Sequence, residues 1–164
     1  MSGSIVASLS VLGFASLRDI ATRTVPNWTA AALSLIGLAA RVSDGTLLQA
    51  ILASATVFLA AMFCWRRGWL GGGDVKLLGG TAMVVPPFAI PTLISYVALV
   101  GGVMAVFYLA ARGLVPQAHK APPQSILGRV LRAECWRIRR KGPLPYACAI
   151  AIGATLVFYR LGVS

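Results

Sequence analysis

The chain has 164 residues, of which 58% are hydrophobic and only 12% are charged, and its mean hydropathy is +0.81. A soluble domain of this length needs a much more polar surface, so the composition excludes a soluble globular protein and indicates a membrane protein. The net charge of +11 arises from 15 basic and only 4 acidic side chains. Each carboxylate is therefore rare enough to be considered individually.

Long uncharged windows predict the helices, because about 17–25 apolar residues are needed to cross the hydrocarbon core of a bilayer. We predict an all-α polytopic membrane protein, a bundle of six transmembrane helices near 1–17, 25–40, 46–65, 75–88, 90–111 and 143–160. The fourth and fifth spans share one window, and proline breaks helices. We therefore place the turn between them at Val85-Pro86-Pro87-Phe88. The whole chain, 1–164, is expected to be a single membrane-embedded domain.

The basic residues predict the orientation of this bundle. With six spans, 13 of the 15 lysines and arginines fall on one side, and only Arg41 and Arg160 fall on the other. Basic residues favour the cytoplasmic side, so we expect both termini to lie outside. Many of the 13 belong to the loop 112–142, in which segment 126–141 has apolar residues at near-helical spacing. We expect a short amphipathic helix there that contacts anionic lipid, and no binding of nucleic acid.

Two of the four acidic residues are candidates for chemistry. Asp44 lies in an outer turn and Glu134 lies among arginines, whereas Asp19 directly follows the first predicted span and Asp74 opens the fourth. Both therefore belong to the cytoplasmic face, where helix ends of one small bundle can bring them together. Two carboxyl groups held that close share a proton near neutral pH. Such a pair can activate water against a peptide bond.

Each carboxylate also has a structural explanation that the sequence leaves open. Asp74 could cap the fourth helix, and Asp19 could pair with Arg18 or Arg23. The glycines 71–73 would let an extended peptide lie beside Asp74, since glycine allows close backbone approach. Glycines also pack membrane helices together. We expect that role for Gly79, Gly80, Gly101 and Gly102.

Three sequence elements resemble those of type IV prepilin peptidases. Asp19-Ile-Ala-Thr-Arg-Thr-Val-Pro-Asn27 resembles their D-x6-P-N element, and Gly71-Gly-Gly-Asp74-Val-Lys76 resembles their G-x-G-D-x-K element. The stretch KGPLPYACAI at 141–150 resembles the P-Y-x-x-A-I segment that opens their last helix. Val25 stands where isoleucine is commoner in the family, and Ala147 stands where glycine is frequent.

The resemblance implies a GxGD-type aspartic endopeptidase in which Asp19 and Asp74 are the catalytic pair. Because two carboxyl groups and water suffice for this reaction, we expect no metal or cofactor. It implies prepilins and pilin-like proteins as substrates, cleaved after a short basic leader at the cytoplasmic face of the bacterial inner membrane. The supporting motif residues that it implies are Pro26, Asn27, Gly71, Gly73 and Lys76.

We assign physical roles to three of these residues as hypotheses. Pro26 holds Val25 extended, and Asn27 caps the second helix. Lys76 tunes the charge of Asp74 or contacts the substrate backbone, or else it only extends to the surface. The larger family members carry paired CxxC motifs and also act as methyltransferases. The sequence lacks those motifs, so we expect no methyltransferase activity, and its size resembles the peptidases of tight-adherence (Flp-type) pili.

Two other functions remain open at this point. An intramembrane protease of the presenilin or signal-peptide-peptidase kind would use the same chemistry on bonds deep within a transmembrane substrate. A small transporter or a non-enzymatic scaffold would use the two carboxylates as a cation site. The position of the cleaved bond separates the first from a prepilin peptidase, and ion-dependent flux without proteolysis would indicate the second.

Overall fold

In a computed structural model, which describes residues 2–111 and 144–162, every regular element is helical. The predicted all-α fold is confirmed for these residues. The basic loop 112–142 and its expected amphipathic helix 126–141 lie outside them. The helices are α1 (Ser2–Thr22), α2 (Asn27–Ser43), α3 (Leu47–Arg66), α4 (Gly72–Val84), a 3-10 helix (Pro87–Ala89), α5 (Ile90–Ala111) and α6 (Tyr146–Arg160).

Three helical segments are long and apolar enough to cross a membrane. They are Gly3–Thr22, Leu47–Arg66 and Pro87–Ala111, with mean hydropathies of 1.4, 2.1 and 2.1. The other helices are shorter, and the 13 residues of α4 extend only about 20 Å at 1.5 Å per residue. That length is below the roughly 30 Å of a hydrocarbon core. Six α-helices are therefore present in the described part, and three helical segments are candidate spans by length and composition.

The shortest helix, α4, lies at the centre of the bundle. Nine of its 13 residues are buried, the highest share of any helix described. It packs against α2 and α3 and also contacts α6, while α6 packs in turn against α1 and α5. Because protein surrounds α4, its glycine-rich sequence is stabilised by packing rather than by intrinsic helix propensity.

Two glycines let α2 and α4 approach closely. A Cβ atom added at Gly37 would lie 2.5 Å from the backbone carbonyl carbon of Met83, and one added at Gly80 would lie 2.8 Å from the carbonyl oxygen of Ala30. Gly37 also belongs to the buried face of α2, on which every fourth residue is buried. That face consists of Thr29, Leu33, Gly37 and Arg41. The two backbones therefore touch directly, as in other membrane helix pairs that meet at small residues.

The glycines singled out in the sequence do not all share this role. A Cβ atom at Gly79 would lie 3.0 Å from the ring of Phe58, and one at Gly101 would lie 3.0 Å from the ring of Tyr146. A Cβ atom at Gly102 would meet nothing within 4 Å. The packing role expected of Gly102 is therefore wrong.

The helix boundaries agree with the predicted corner but not with the predicted end of the first helix. α4 ends at Val84, and the 3-10 helix Pro87–Ala89 leads directly into α5, which confirms the turn at 85–88. However, α1 continues to Thr22, so the prediction that Asp19 follows the first helix is wrong. The backbone N–H of Arg23 donates to the carbonyl of Asp19 at 2.9 Å and closes the last turn. Arg18 is exposed, so its charge does not end the helix.

The close approach at Gly37 makes a stability prediction. We expect Gly37→Ala to lower the free energy of unfolding by about 1–3 kcal/mol, because the methyl group can only be accommodated by moving backbone. The matched control is Gly102→Ala, which places the same methyl group in open space on α5 and should be neutral or stabilising by up to about 1 kcal/mol. Thermal unfolding in detergent measures both. Equal effects of the two substitutions would contradict the packing assignment.

Candidate active site

Asp19 lies on the buried face of α1. Ser8, Leu12 and Ala15 are almost fully buried on the same face, and Asp19, one turn beyond Ala15, is only 6% exposed. The spacing of four, three and four residues matches the helical repeat, so the carboxylate is directed into the bundle rather than into a loop. A charged side chain at such a position requires polar partners.

The N-terminus of α6 supplies one partner. The backbone N–H of Ala147 donates to Oδ2 of Asp19 at 3.3 Å, and the hydroxyl of Ser16 donates to the carbonyl oxygen of Ala147 at 3.1 Å. Ala147 is the second residue of α6, so its N–H has no partner within the helix. A helix N-terminus stabilises negative charge. Ala147 is fully buried, which agrees with a small residue at this position of the 141–150 segment. The sequence alone did not predict the hydrogen bond between this segment and Asp19.

Asp74 is the third residue of α4, and its side chain turns back to the start of the helix. The backbone N–H of Gly71, the residue before the helix, donates to the Asp74 carboxylate. This is the geometry of the acidic residue in a capping box, in which the third residue satisfies the N–H that precedes the helix. The N-cap role considered for Asp74 is therefore wrong, because Gly71 is the residue that precedes the helix. The bond from the Gly71 N–H instead fixes the position of the Asp74 carboxylate.

The three glycines before Asp74 have different neighbours. A Cβ atom at Gly71 would lie 2.7 Å from Oδ2 of Asp74, and one at Gly73 would lie 3.1 Å from Cβ of Val25. Gly72 lies beside the exposed side chain of Trp65. Since Gly72 and Gly73 already belong to α4, the expectation of a glycine run that accommodates an extended peptide is wrong for them. Gly71 instead leaves room for the carboxylate, and Gly73 lets α4 pack against the connection between α1 and α2.

The two carboxyl groups interact electrostatically. Burial and then the negative charge of Asp19 raise the pKa of Asp74 from 3.8 to about 7, while the Gly71 N–H and the charge of Arg23 oppose the rise. Asp74 precedes the predicted span 75–88 and lies outside the three candidate spans. The structure thus brings together the two acidic residues that the sequence singled out, although 54 residues separate them in the chain.

Lys76 and Asn27 connect the two acidic motifs. Nζ of Lys76 donates to Oδ1 of Asn27 at 3.0 Å. The role of Asn27 as a cap is wrong, because α2 begins at Asn27 itself and the preceding residue, Pro26, makes no side-chain cap. Pro26 is extended, and its carbonyl accepts the hydroxyl of Thr29 at 2.7 Å. The hydrogen bond between Lys76 and Asn27 therefore joins the first turns of α2 and α4. The sequence motifs name both residues but do not predict that they contact each other.

The remaining described acid, Asp44, lies at the other end of α2. Its carboxylate forms an ion pair with Arg41 at 3.1 Å, and Arg41 is 6% exposed. Within residues 2–111 and 144–162 no three His, Cys, Asp or Glu side chains cluster as metal ligands do. In the described part of the chain, Asp19 and Asp74 are thus the two acidic side chains that lie at the same end of the bundle.

A comparison with protein families gives the identity of this arrangement. The model of the type IV leader peptidase family matches residues 6–106, a range that includes both acidic motifs. The chain belongs to the type IV leader peptidase family. Neither the curated proteins nor the solved structures gave a match. The resemblance to prepilin peptidases is confirmed at the level of the family, and the apolar helices together with the family indicate an inner-membrane peptidase.

The contact between Gly71 and Asp74 predicts how this leader peptidase responds to a single methyl group. We expect Gly71→Ala to lower leader cleavage by about 100-fold, because a carboxylate displaced by about 1 Å loses its alignment with the substrate. The fold should survive, since Gly71 is exposed and has a φ of −75°, which alanine adopts readily.

The control for this prediction is Gly72→Ala, in which the new methyl group meets only the edge of an exposed tryptophan. Cleavage of a prepilin, followed by the change in gel mobility, measures both variants beside the wild type. If Gly71→Ala cleaved as fast as Gly72→Ala, the carboxylate would not depend on the space that Gly71 leaves.

Proposed function

We propose that this leader peptidase is an aspartic endopeptidase in which Asp19 and Asp74 activate water, and that it removes the short basic leader of type IV prepilins. The observation that carries the proposal is the proximity of two buried or half-buried carboxyl groups, in which burial and then the negative charge of Asp19 raise the pKa of Asp74 to about 7. A coupled pair of this kind holds one proton near neutral pH, as acid–base catalysis of peptide hydrolysis requires. Flp-type prepilins are the proposed substrates on the basis of the sequence resemblance alone.

The proposed mechanism assigns the proton to Asp74, whose pKa is raised to about 7. It takes Asp19, which faces the N-terminus of α6, as the ionised partner. Asp19 takes a proton from water as the water oxygen attacks the peptide carbonyl carbon, and Asp74 gives its proton to the carbonyl oxygen. In the second step Asp19 returns its proton to the leaving nitrogen while Asp74 recovers one from the tetrahedral intermediate. The peptide bond breaks, and both carboxyl groups regain their starting states.

The proposed topology has six crossings, the acid pair at the cytoplasmic face and both termini outside. It is supported by the basic residues at the helix ends. The bundle end with the acid pair carries Arg18, Arg23, Arg66, Arg67 and Lys76, whereas the opposite end carries Arg41 and Arg160. Basic residues favour the cytoplasm. Short helices such as α4 can cross where the bilayer thins around them or where protein surrounds them. The basic residues of 112–142 are proposed to contact anionic lipid.

Removal of either carboxyl group tests the proposed mechanism. We expect Asp19→Asn and Asp74→Asn each to lower leader cleavage by at least about 100-fold, because neither amide can exchange a proton with water or substrate. Both amides keep the size of the side chain, and in Asp19→Asn the amide oxygen can still accept the Ala147 N–H. Cleavage of a prepilin in detergent, with mass spectrometry of the product, measures the rate and the position of the cleaved bond.

The matched control is Asp44→Asn, which makes the same change at the other end of α2 and keeps an oxygen for Arg41. It should cleave at the wild-type rate. Normal cleavage by either Asp19→Asn or Asp74→Asn would overturn the assignment of the pair. Cleavage within the apolar helix, rather than after the leader, would instead support the intramembrane protease considered from the sequence.

The raised pKa of Asp74 predicts the pH dependence of cleavage. Since the proton on Asp74 is needed, kcat/KM should fall about tenfold per pH unit once the pH exceeds about 7. The positive charge of Arg23 lowers the pKa of Asp74, so Arg23→Gln should move this alkaline limb to higher pH. Arg67→Gln, at an exposed position that does not affect Asp74 in this way, is the control. A limb that stays fixed in Arg23→Gln would show that another group titrates.

A further inference from the structure

A lateral groove of about 460 Å³ separates α3 from α5 and opens toward the surroundings of the bundle. One wall is formed by residues of α3, which include Thr56, Ala60 and Cys64, and the other by residues of α5, which include Ala98. Leu78 of α4 forms part of the floor, and Tyr146 at the start of α6 lines one end. Almost all of the lining is apolar. The groove exists because α3 and α5 each pack against a neighbour, α4 and α6 respectively, rather than against each other.

One end of the groove lies near Asp74. Leu78 follows Asp74 by four residues, so the two side chains lie one above the other on the same face of α4. Tyr146 lines the groove and also lies within electrostatic range of Asp74. A chain that emerges from the groove at this end therefore meets the carboxyl group of Asp74 first.

The walls of the groove fit a helix. α3 and α5 have 20 and 22 residues, about the thickness of a hydrocarbon core. The small side chains of Thr56, Ala60 and Cys64 recur every four residues and face the groove together with Ala98. Small residues at this spacing allow two helix backbones to approach closely in a membrane.

A second lateral groove offers a direct comparison. It has about 410 Å³ and lies between α2 and α3, where it is lined by Ala55, Phe58, Gly79 and the side chain of Lys76. Lys76 is two residues from Asp74 and belongs to a different face of α4, on which it binds Asn27. The second groove therefore has a similar size and a similar apolar lining but does not lead to the acid pair.

We propose that the groove between α3 and α5 binds the apolar helix of the prepilin, with Ala60, Cys64 and Ala98 determining how closely that helix can approach. This inference rests on the proposed function, because the helix of a prepilin starts just after the leader that is removed. With the helix seated in the groove, the bond that precedes it lies beside Asp19 and Asp74. The groove thus selects both the substrate and the position of the cut.

Filling the groove is the first test. Ala60→Phe and Ala98→Phe each place a large side chain in the groove at exposed alanines, where the fold should tolerate it. We expect both to lower kcat/KM for a prepilin by at least about tenfold, mainly through a higher KM. The control is Ala55→Phe, which makes the same change on the same helix in the second groove and should leave cleavage unchanged. Wild-type rates in both groove variants would overturn the proposal.

Native Cys64 provides a second test that needs no cleavage. In an Asp74→Asn background with Cys135 and Cys148 replaced by alanine, Cys64 is the single cysteine. The probe is a prepilin with a basic leader, an apolar helix of about 20 residues and one cysteine moved along that helix. We expect oxidative cross-links to Cys64 from positions three or four residues apart, on one helix face. Cys64→Ala with Ala55→Cys should give none.

The outcomes separate the inference from the function on which it rests. Cleavage by the wild type, with no periodic cross-links and no effect of the phenylalanines, would overturn the groove and leave the peptidase intact. It would indicate that lipid fills the groove. If the wild type cleaved no prepilin, the proposed function would fail and the groove assignment with it. Periodic cross-links together with slow cleavage by Ala60→Phe and Ala98→Phe would establish the docking site.

Discussion

Two carboxyl groups that share one end of an apolar bundle repel each other when both are ionised, and the surrounding helix ends limit that repulsion. The N-terminus of α6 faces Asp19 and donates the N–H of Ala147, while the N–H of Gly71 binds Asp74 at the start of α4. Helix N-termini are the parts of a backbone that stabilise negative charge without adding a second ion. The result is asymmetric, because Asp19 is almost fully buried against α6 and Asp74 is half-buried with a pKa near 7. In the proposed mechanism this asymmetry assigns the base and the acid.

The positions of these helix ends depend on how closely the backbones approach. Gly37 and Gly80 bring α2 against α4, and Gly73 brings the first turn of α4 against Val25 in the connection that follows α1. The hydrogen bond between Lys76 and Asn27 joins the same two regions on the exposed side. The start of α4, with Asp74, is therefore held by contacts to the residues that follow α1, the helix that contains Asp19. The position of the carboxylate pair therefore depends mainly on how closely the backbones pack.

The sequence predicted the parts that depend on composition and on scarce residues. Uncharged windows located six helices, and four acids in 164 residues left Asp19 and Asp74 as the pair to consider. The sequence could not predict the end of α1, because a charged residue was taken to mark the end of the helix. In the structure Arg18 is exposed on the helix surface, and Asp19 continues its buried face. Nor could it pair Asp19 with Ala147, or Lys76 with Asn27, since these contacts join distant segments. Their only signal in the sequence was the family motif, which names residues without giving their partners.

Because α4 is short, Asp74 at its start lies below the level of the neighbouring helix ends. α5 follows α4 through a tight corner, so the two helices meet at a similar level at the end of the bundle opposite the acid pair, yet α5 has 22 residues and α4 only 13. At 1.5 Å per residue the difference is more than about 10 Å. By helix length, the N-terminus of α4, with Asp74, is therefore recessed relative to the ends of α3 and α5 on the same side of the bundle, and the five residues from Arg67 to Gly71 connect α3 to α4. A substrate helix held between α3 and α5 would reach the carboxyl groups before it leaves the bundle. In the proposed reaction, this recess lets a membrane-embedded helix and a water-dependent pair of acids meet at one bond.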